Sequence, residues 1–271
     1  MSRWNKSAAC FLSAVVLAVS VALPPAFAQE DTEVENPRFE IGAGVSGLRF
    51  QSRPEWTGKY MGTLFGMASM RLLYGLSVQG MGGVGNGSEP YPDFIPYESG
   101  VMIKTNAGTY CEEASLGLRY DIPATAVTRA IDTLASVARL RKRDPLATPR
   151  TYAGIDYICP SVGIVRTAFS VKGNRKLYIE TEEFEYLDSN NYFKLADANG
   201  VYAGVAVRWR LDTDYTENAD SWFGSYGIDV GARYIRYNDC NLHSASVQPA
   251  KSYFNSYQVY LVGFMKFKLF Y

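Results

Sequence analysis

The chain has 271 residues, 27 basic against 27 acidic side chains and a single histidine. That balance lacks the basic excess of a nucleic-acid binder, and the length suits one all-β domain behind a short leader. Tyrosine (20) and phenylalanine (14) are abundant enough to furnish aromatic belts at two membrane interfaces.

At the start, Arg3 and Lys6 precede an apolar run from Ala8 to Leu23 that closes on Ala26-Phe27-Ala28. This is the pattern of a cleavable export signal, cut after Ala28. Pro24 and Pro25 end the run short of the ~20 residues a spanning helix needs, and Cys10 lies ahead of the apolar region, where a lipoprotein signal would place it behind. No later segment is a long apolar run, so any membrane crossing must be made by a closed barrel. Three cysteines follow the signal: Cys111, Cys159 and Cys240. An exported protein could oxidise one pair and leave one thiol over, and their spacing fits no zinc site.

After an acidic leader over residues 29–37, period-two alternation begins. Phe39, Ile41, Ala43 and Val45 oppose Glu40, Gly42, Gly44 and Ser46, which predicts a strand from Arg38 to Phe50. A loop near Ser52 to Thr57 leads to two strands between Tyr60 and Gly83, hinged at Tyr74-Gly75. Residues 86–108, with Pro90, Pro92 and Pro96, read as a long loop. Ala114, Leu116, Leu118, Tyr120 and Ile122 then alternate with Glu113, Ser115, Gly117, Arg119 and Asp121 in a fourth strand. Pro123 ends it, and Val127, Ile131, Leu134 and Ala138 recur at helical spacing, predicting a short amphipathic helix over 126–143. Such a helix could pack across a barrel mouth or meet anionic lipid or a partner through its basic end.

A fifth strand starts near Thr151, with Ala153, Ile155, Tyr157 and Cys159 facing opposite to Asp156 and with a bulge expected at Pro160. The polar, acidic stretch 171–199 reads as the largest loop, with room for a hairpin of its own. Its carboxylates lack the ordered spacing of a calcium loop. Val201 to Leu211 and Tyr226 to Tyr234 alternate strongly. The last strand places Tyr257, Val259, Leu261, Gly263, Met265, Phe267, Leu269 and Tyr271 on one face and Gln258, Tyr260, Val262, Phe264, Lys266 and Lys268 on the other.

The count is eight strands, an even number that puts both ends of the chain on one side. Ten become possible if 172–198 spans the membrane as a hairpin. The fold class is therefore all-β: an eight-stranded antiparallel transmembrane barrel over 38–271, with one short helix. Loops 51–57, 86–108, 171–199 and 238–251 fall at the outer end; 73–75, 123–149 and 213–222 fall at the inner one.

The inward faces collect Glu40, Glu113, Arg119, Asp121, Asp156, Arg208, Arg210, Asp229, Arg233, Lys266 and Lys268. An eight-stranded barrel is just wide enough for side chains to fill it, so these charges predict ion pairs across a packed lumen, or else a narrow polar path. Gly80-Met-Gly82-Gly83-Val-Gly85 matches a nucleotide-binding spacing, but no helix begins there to receive a pyrophosphate. It predicts relief of crowding and the start of a loop. His243 beside Ser244, with Asp239 nearby, is a poor triad, since geometry and not sequence proximity defines one. No enzyme activity, cofactor or metal is expected.

The closing strand resembles that of bacterial outer-membrane proteins, in which the alternating residues Gly263, Met265, Phe267, Leu269 and the terminal Tyr271 would be the signal for the barrel-insertion machinery. Ser115-Leu-Gly-Leu-Arg-Tyr-Asp-Ile122 and Arg150-Thr-Tyr-Ala-Gly-Ile-Asp-Tyr157 look like strands of OmpW-like barrels. The whole pattern resembles the small outer-membrane barrels, OmpW-like and OmpA-membrane-domain-like, although 123–149 and 171–199 are longer than that pattern. The resemblance implies an outer-membrane location, lipid as a partner and a passive role: a narrow channel for small solutes, hydrophobic ones included. The alternative is a structural or adhesive protein that meets a host surface through its loops. A soluble periplasmic β-barrel binder is the remaining class.

Overall fold

The computed structural model describes residues 38–51, 59–73, 75–87, 94–98, 101–128, 154–178, 184–211, 223–242 and 253–268. The expected export signal and leader, most of the expected helix, and His243 with Ser244 lie outside the described residues. The described residues form ten strands: β1 Arg38–Gln51, β2 Tyr60–Leu73, β3 Leu76–Gly87, β4 Phe94–Glu98, β5 Val101–Tyr120, β6 Ile122–Pro123, β7 Ile155–Tyr178, β8 Phe184–Arg210, β9 Phe223–Leu242 and β10 Phe254–Lys268. Eight of them close a ring of antiparallel neighbours, β1-β2-β3-β5-β7-β8-β9-β10, and β10 returns to β1 from Arg38↔Lys268 to Gln51↔Asn255. The two short strands stand outside that ring, β4 paired with β5 and β6 paired with β7.

Period two decides which side of the wall each residue faces. Val84, Leu64, Val45, Leu261 and Val230 are register partners in sequence around the ring, and each is exposed, Leu64 by 64 %. A continuous apolar girdle on the outside of a closed barrel is the surface that lipid wets. On β1 it runs from Phe39 to Arg49, about ten residues, which at roughly 3.3 Å each and a tilt of roughly 40° is about 25 Å, the height of a membrane barrel's apolar band.

At the inner end the β2–β3 turn is tight. Gly75 takes a φ of 79°, a conformation that residues with a Cβ rarely adopt, and its carbonyl accepts a hydrogen bond from the Asp121 amide at 2.9 Å. Residues 124–128 are helical directly after Pro123, two residues earlier than the sequence pattern suggested, with Thr128 donating to the Ala124 carbonyl at 3.0 Å. Ile122 belongs to the separate pair with β7 and does not continue β5.

The outer end departs from expectation. Residues 86–108 contain strand at both sides of residues 88–93: β3 continues to Gly87, and β4 and β5 form a hairpin. Residues 171–199 also hold strand, because β7 and β8 stay paired as far as Tyr178↔Phe184. This hairpin prolongs two ring strands outward and adds none to the ring. β9 likewise runs to Leu242. Prolines, glycines and carboxylates disguised these segments, since strands paired above the membrane need no apolar alternation. From Glu112 and Arg166, where the girdle ends on β5 and β7, the pair β5–β7 continues to Val101↔Leu177, about a dozen residues or roughly 30 Å of wall. On the other side of the ring β1 stops at Gln51 and β2 begins at Tyr60, so among the described residues the tall wall stands on one side of the barrel.

The glycine-rich segment 80–85 lies inside β3, where the register continues unbroken to Gly87. It starts no loop and precedes no helix. Gly83 and Gly85 face inward, and a Cβ on either would collide with Phe65 or Thr63, so crowding accounts for them.

The girdle makes a prediction. Leu64→Lys should lower the unfolding free energy by about 2–4 kcal/mol when urea titrations are run in lipid vesicles. A shift within about 0.5 kcal/mol, the usual effect of an exposed change in a water-soluble protein, would show that lipid does not cover this face.

Candidate functional site

The interior of the ring is filled in three storeys. The innermost is ionic, and it follows from register: Glu40 stands opposite Lys266 and Arg208 opposite Asp229, all on the inward phase of their strands. Arg208 Nη1 and Nη2 each donate to a Glu40 carboxylate oxygen at 2.9 Å. Its Nε and Nη2 donate to Asp229 at 2.7 and 2.9 Å. From β5, Arg119 donates to Asp121 at 2.8 Å, to Asp229 at 2.6 Å and to the Cys159 sulfur at 2.9 Å. Lys266 Nζ lies 3.4 Å from Glu40, Arg208 lies 3.5 Å from Asp121, and Ser69 donates to Glu40 at 3.3 Å. The Phe264 ring covers the Arg208 guanidinium at 3.9 Å.

Three cations thus meet three carboxylates, with Arg208 only 1 % exposed. Taking one such charge from water costs several kcal/mol unless its partner and its remaining hydrogen bonds are supplied. The forked guanidinium suits this task because it engages two carboxylates at once with fixed geometry.

The middle storey centres on Arg233. It donates to Glu113 and to Gln258 through short hydrogen bonds, and to Ser115 at 3.1 Å. Gln258 donates to Ser46 at 2.8 Å, and Ser46 in turn shares a short hydrogen bond with Thr63. The Tyr202 ring lies 5.0 Å from the Arg233 guanidinium, above the facing pair Gly117↔Gly163. A Cβ on either glycine would strike that tyrosine, so the pair is what lets the ring lie across the lumen.

The outer storey is apolar. Phe50, Phe169 and Phe254 meet with centroids 5.8 to 6.1 Å apart, and Tyr237 stacks on Phe254 at 4.4 Å. Phe169 and Tyr237 are 0 % exposed. The Tyr237 hydroxyl shares a 3.0 Å hydrogen bond with Thr167, which provides for the one polar tip among these rings. Leu48, Met61, Val171, Phe193, Leu195 and Ile235 fill the remaining space.

The predicted inward charges therefore separate into groups. Glu40, Arg119, Asp121, Arg208, Asp229 and Lys266 form the inner storey; Glu113 and Arg233 form the middle one. Asp156 and Arg210 join neither. They pair with each other at the inner rim, where the Arg210 amide donates to Asp156 at 2.6 Å and their side chains lie 3.7 Å apart, with Arg210 half exposed. The cause is an irregularity in the register between Ile155 and Tyr157, which turns Tyr157 and Cys159 inward and Asp156 away. Pro160, where the bulge was expected, pairs regularly with Val205. Lys268 ends β10 opposite Arg38. Of the terminal signal, Gly263 and Met265 face outward and Phe267 is half-buried; Leu269 and Tyr271 lie outside the described residues.

No disulfide joins Cys111, Cys159 and Cys240; the first two are buried. Asp239 pairs through its backbone with Asn199 in β9. Among the described residues no group of histidine, cysteine and carboxylate side chains could hold a metal ion.

The sequence pattern did not reveal the aromatic storey or the part played by Tyr202, Tyr260 and Phe264. Each of these rings sits beside a glycine on a neighbouring strand: Tyr202 by Gly163, Tyr260 by Gly231 and Phe264 by Gly227. The signal lies in this pairing of large with small, and reading it requires the register.

No protein-family model matches the chain, and no curated protein does. Several solved structures are similar in fold. Neisserial surface protein A is 9 % identical with a TM-score of 0.41, over 85 % of this chain and 97 % of that one. Ail, the attachment invasion locus protein of Yersinia pestis, is 7 % identical with a TM-score of 0.38, over 86 % and 100 %. The outer membrane protein OprG from Pseudomonas aeruginosa is 11 % identical with a TM-score of 0.39, over 87 % and 98 %. They are differently named barrels and single out no subgroup, and likenesses this remote carry nothing about activity.

The ionic storey should behave as one unit. Asp229→Ala removes the carboxylate shared by Arg119 and Arg208, and the expected loss is about 3–5 kcal/mol in urea unfolding of the reconstituted barrel. Because the pairs are shielded from solvent, that loss should persist at about 1 M salt, where exposed pairs are screened.

Proposed function

We propose that the protein is a bacterial outer-membrane barrel that does not conduct, and that it acts at the cell surface through the tall wall of β5, β7 and β8. The observation that carries this reading is the continuity of the filling. Arg208, Tyr237, Phe169 and Phe254 are among the largest fully buried side chains, and they belong to storeys at the two ends of the same lumen. A solute would have to break the ionic storey, displace Tyr202 from Arg233, and part the three phenylalanines. Eight strands leave no spare width for that.

The resemblance of 115–122 and 150–157 to OmpW-like strands would imply passage of small hydrophobic solutes. The apolar outer storey would admit such a molecule, but beneath it stand Arg233 and Glu113, which offer an apolar solute nothing. The girdle around Leu64 weighs against a soluble periplasmic binder, since a water-soluble protein rarely exposes so continuous an apolar surface. On the surface-contact reading the protein binds and does not catalyse. Paired strands carried well beyond the membrane present a stiff face with little ordering entropy to lose on binding.

Single-channel recording in planar bilayers tests the first half: the expected trace is flat, and steady conductance steps, or solute efflux from liposomes faster than the protein-free leak, would restore the channel. Grafting residues 171–199 onto an unrelated barrel tests the second half. Binding to host-cell surfaces should travel with the graft, and a graft that binds no better than its parent would remove the adhesive role.

A further inference from the structure

On the outside of the barrel, just below the outer rim, the girdle has a notch. Gly47 of β1 and Gly62 of β2 are register partners, both face outward, and a Cβ built on either meets nothing within 4 Å. Their neighbours project: Val259, the partner of Gly47 on β10, is 60 % exposed, and Leu64 is 64 % exposed. The result is a depression of about 460 Å³ walled by Val259, Tyr257 and Tyr60, with Arg49 and Asn86 at its rim. Its surface is mainly apolar and it opens toward lipid.

Two cations stand at the outer end of the notch. Arg49 Cζ lies 6.0 Å and Lys59 Nζ 5.3 Å from the centroid of the same ring, that of Tyr60. Both are exposed, and neither has a carboxylate partner among the described residues. They sit where the apolar band ends, which is the depth of the headgroups.

We infer that this notch is a binding site for a lipid of net negative headgroup in the leaflet at the tall end, with one acyl chain lying against Gly47 and Gly62 and the anionic phosphate headgroup held by Arg49 and Lys59. Apolar depth and positive charge follow one another along the barrel axis in the order in which a lipid's chain and headgroup do. A soluble partner could not reach a depression covered by lipid, and a neutral headgroup would bring no net counter-charge to the two cations. Ordinary interfacial cations extend their charge toward water along an apolar stem; here the two converge on one ring above a recess that glycine alone keeps open. The inference needs the girdle to lie in lipid and is independent of whether the lumen conducts or the wall binds.

The test uses the full processed protein in mixed detergent micelles, with phosphatidylglycerol and phosphatidylcholine of identical acyl chains as the competing probes and native mass spectrometry as the readout. The native protein should retain phosphatidylglycerol preferentially. Arg49→Gln and Lys59→Gln should each reduce that preference about fivefold, the effect of one basic residue at a membrane surface, and together they should abolish it. Gly62→Leu, whose Cβ meets no atom within 4 Å and whose branch occupies the notch, should reduce retention of both lipids while heat-modifiable gel migration shows that the barrel still folds. Equal retention of the two lipids by the native protein, or a preference unchanged in the doubly substituted protein, overturns the site. Undiminished retention by folded Gly62→Leu overturns the part assigned to the notch. The charge variants lie on the exposed surface, so the question is answered even if Gly62→Leu fails to fold.

Discussion

The width of an eight-stranded closure governs everything else in this molecule. Such a ring has room inside for its own side chains and little more. An inward position can therefore be occupied in only three ways: by a small residue, by a large one lying over a small neighbour, or by a polar one whose partners are also inside. Phe264 illustrates the second, placed between Gly42 on β1 and Gly227 on β9. Arg208 illustrates the third, forked between Glu40 and Asp229. Unpaired, that guanidinium would be a severe liability in so dry a space; paired, it ties β8 to β1 and β9 and meets Arg119, arriving from β5, through the shared Asp229.

The interior is also graded along its axis, from ions at the inner end, through a mixed layer around Arg233, to aromatic rings at the outer end. This grading explains how a lumen rich in charge can hold a dry cap. Phe50, Phe169 and Phe254 pack ring on ring and Tyr237 stacks on Phe254, and the one hydroxyl among them is satisfied by Thr167. A polar network that is fully connected fixes a unique arrangement, whereas a partly connected one is worse than an apolar filling. Keeping the two kinds of filling at separate heights lets the ions pair with one another and the rings pack against one another, with Glu113 Oε2 of the mixed layer left as a buried oxygen without a hydrogen bond.

Much of the fold could be read from the chain because the membrane enforces alternation. Val259, Leu261 and Met265 can face only lipid, and Gln258 and Lys266 only the lumen, so the period of two is unbroken in β10. The strand count, the closure and the split of most charged residues follow from that alone. Where the membrane stops, so does the enforcement. β5 above Glu112 and the β7–β8 hairpin above Arg166 are paired strands whose composition is that of loops, and nothing in residues 171–199 marks which side of a strand would be wet. Asp156 was misplaced for a different reason: a one-residue irregularity beside Ile155 reverses the phase, and although Gly154 with its φ of 75° adjoins it, a single glycine does not say which neighbouring residue is the extra one. The aromatic storey was hidden because a ring and the glycine beneath it are adjacent only across strands.

A barrel filled in this way separates what can vary from what cannot. Changing an inward residue disturbs partners on two or three strands at once, because Arg119, Arg208 and Asp229 are held in one network. Changing an outward residue in the girdle matters only insofar as lipid is the solvent there, and the Gly47–Gly62 notch shows that even this face need not be uniform. On the wall above the girdle the backbone is fixed by strand pairing; its inward side chains Phe169, Val171 and Phe193 still pack into the outer storey, whereas its outward ones are held by neither lipid nor lumen. The closed interior supplies rigidity, and the strands that continue past the girdle convert that rigidity into a defined surface facing the medium.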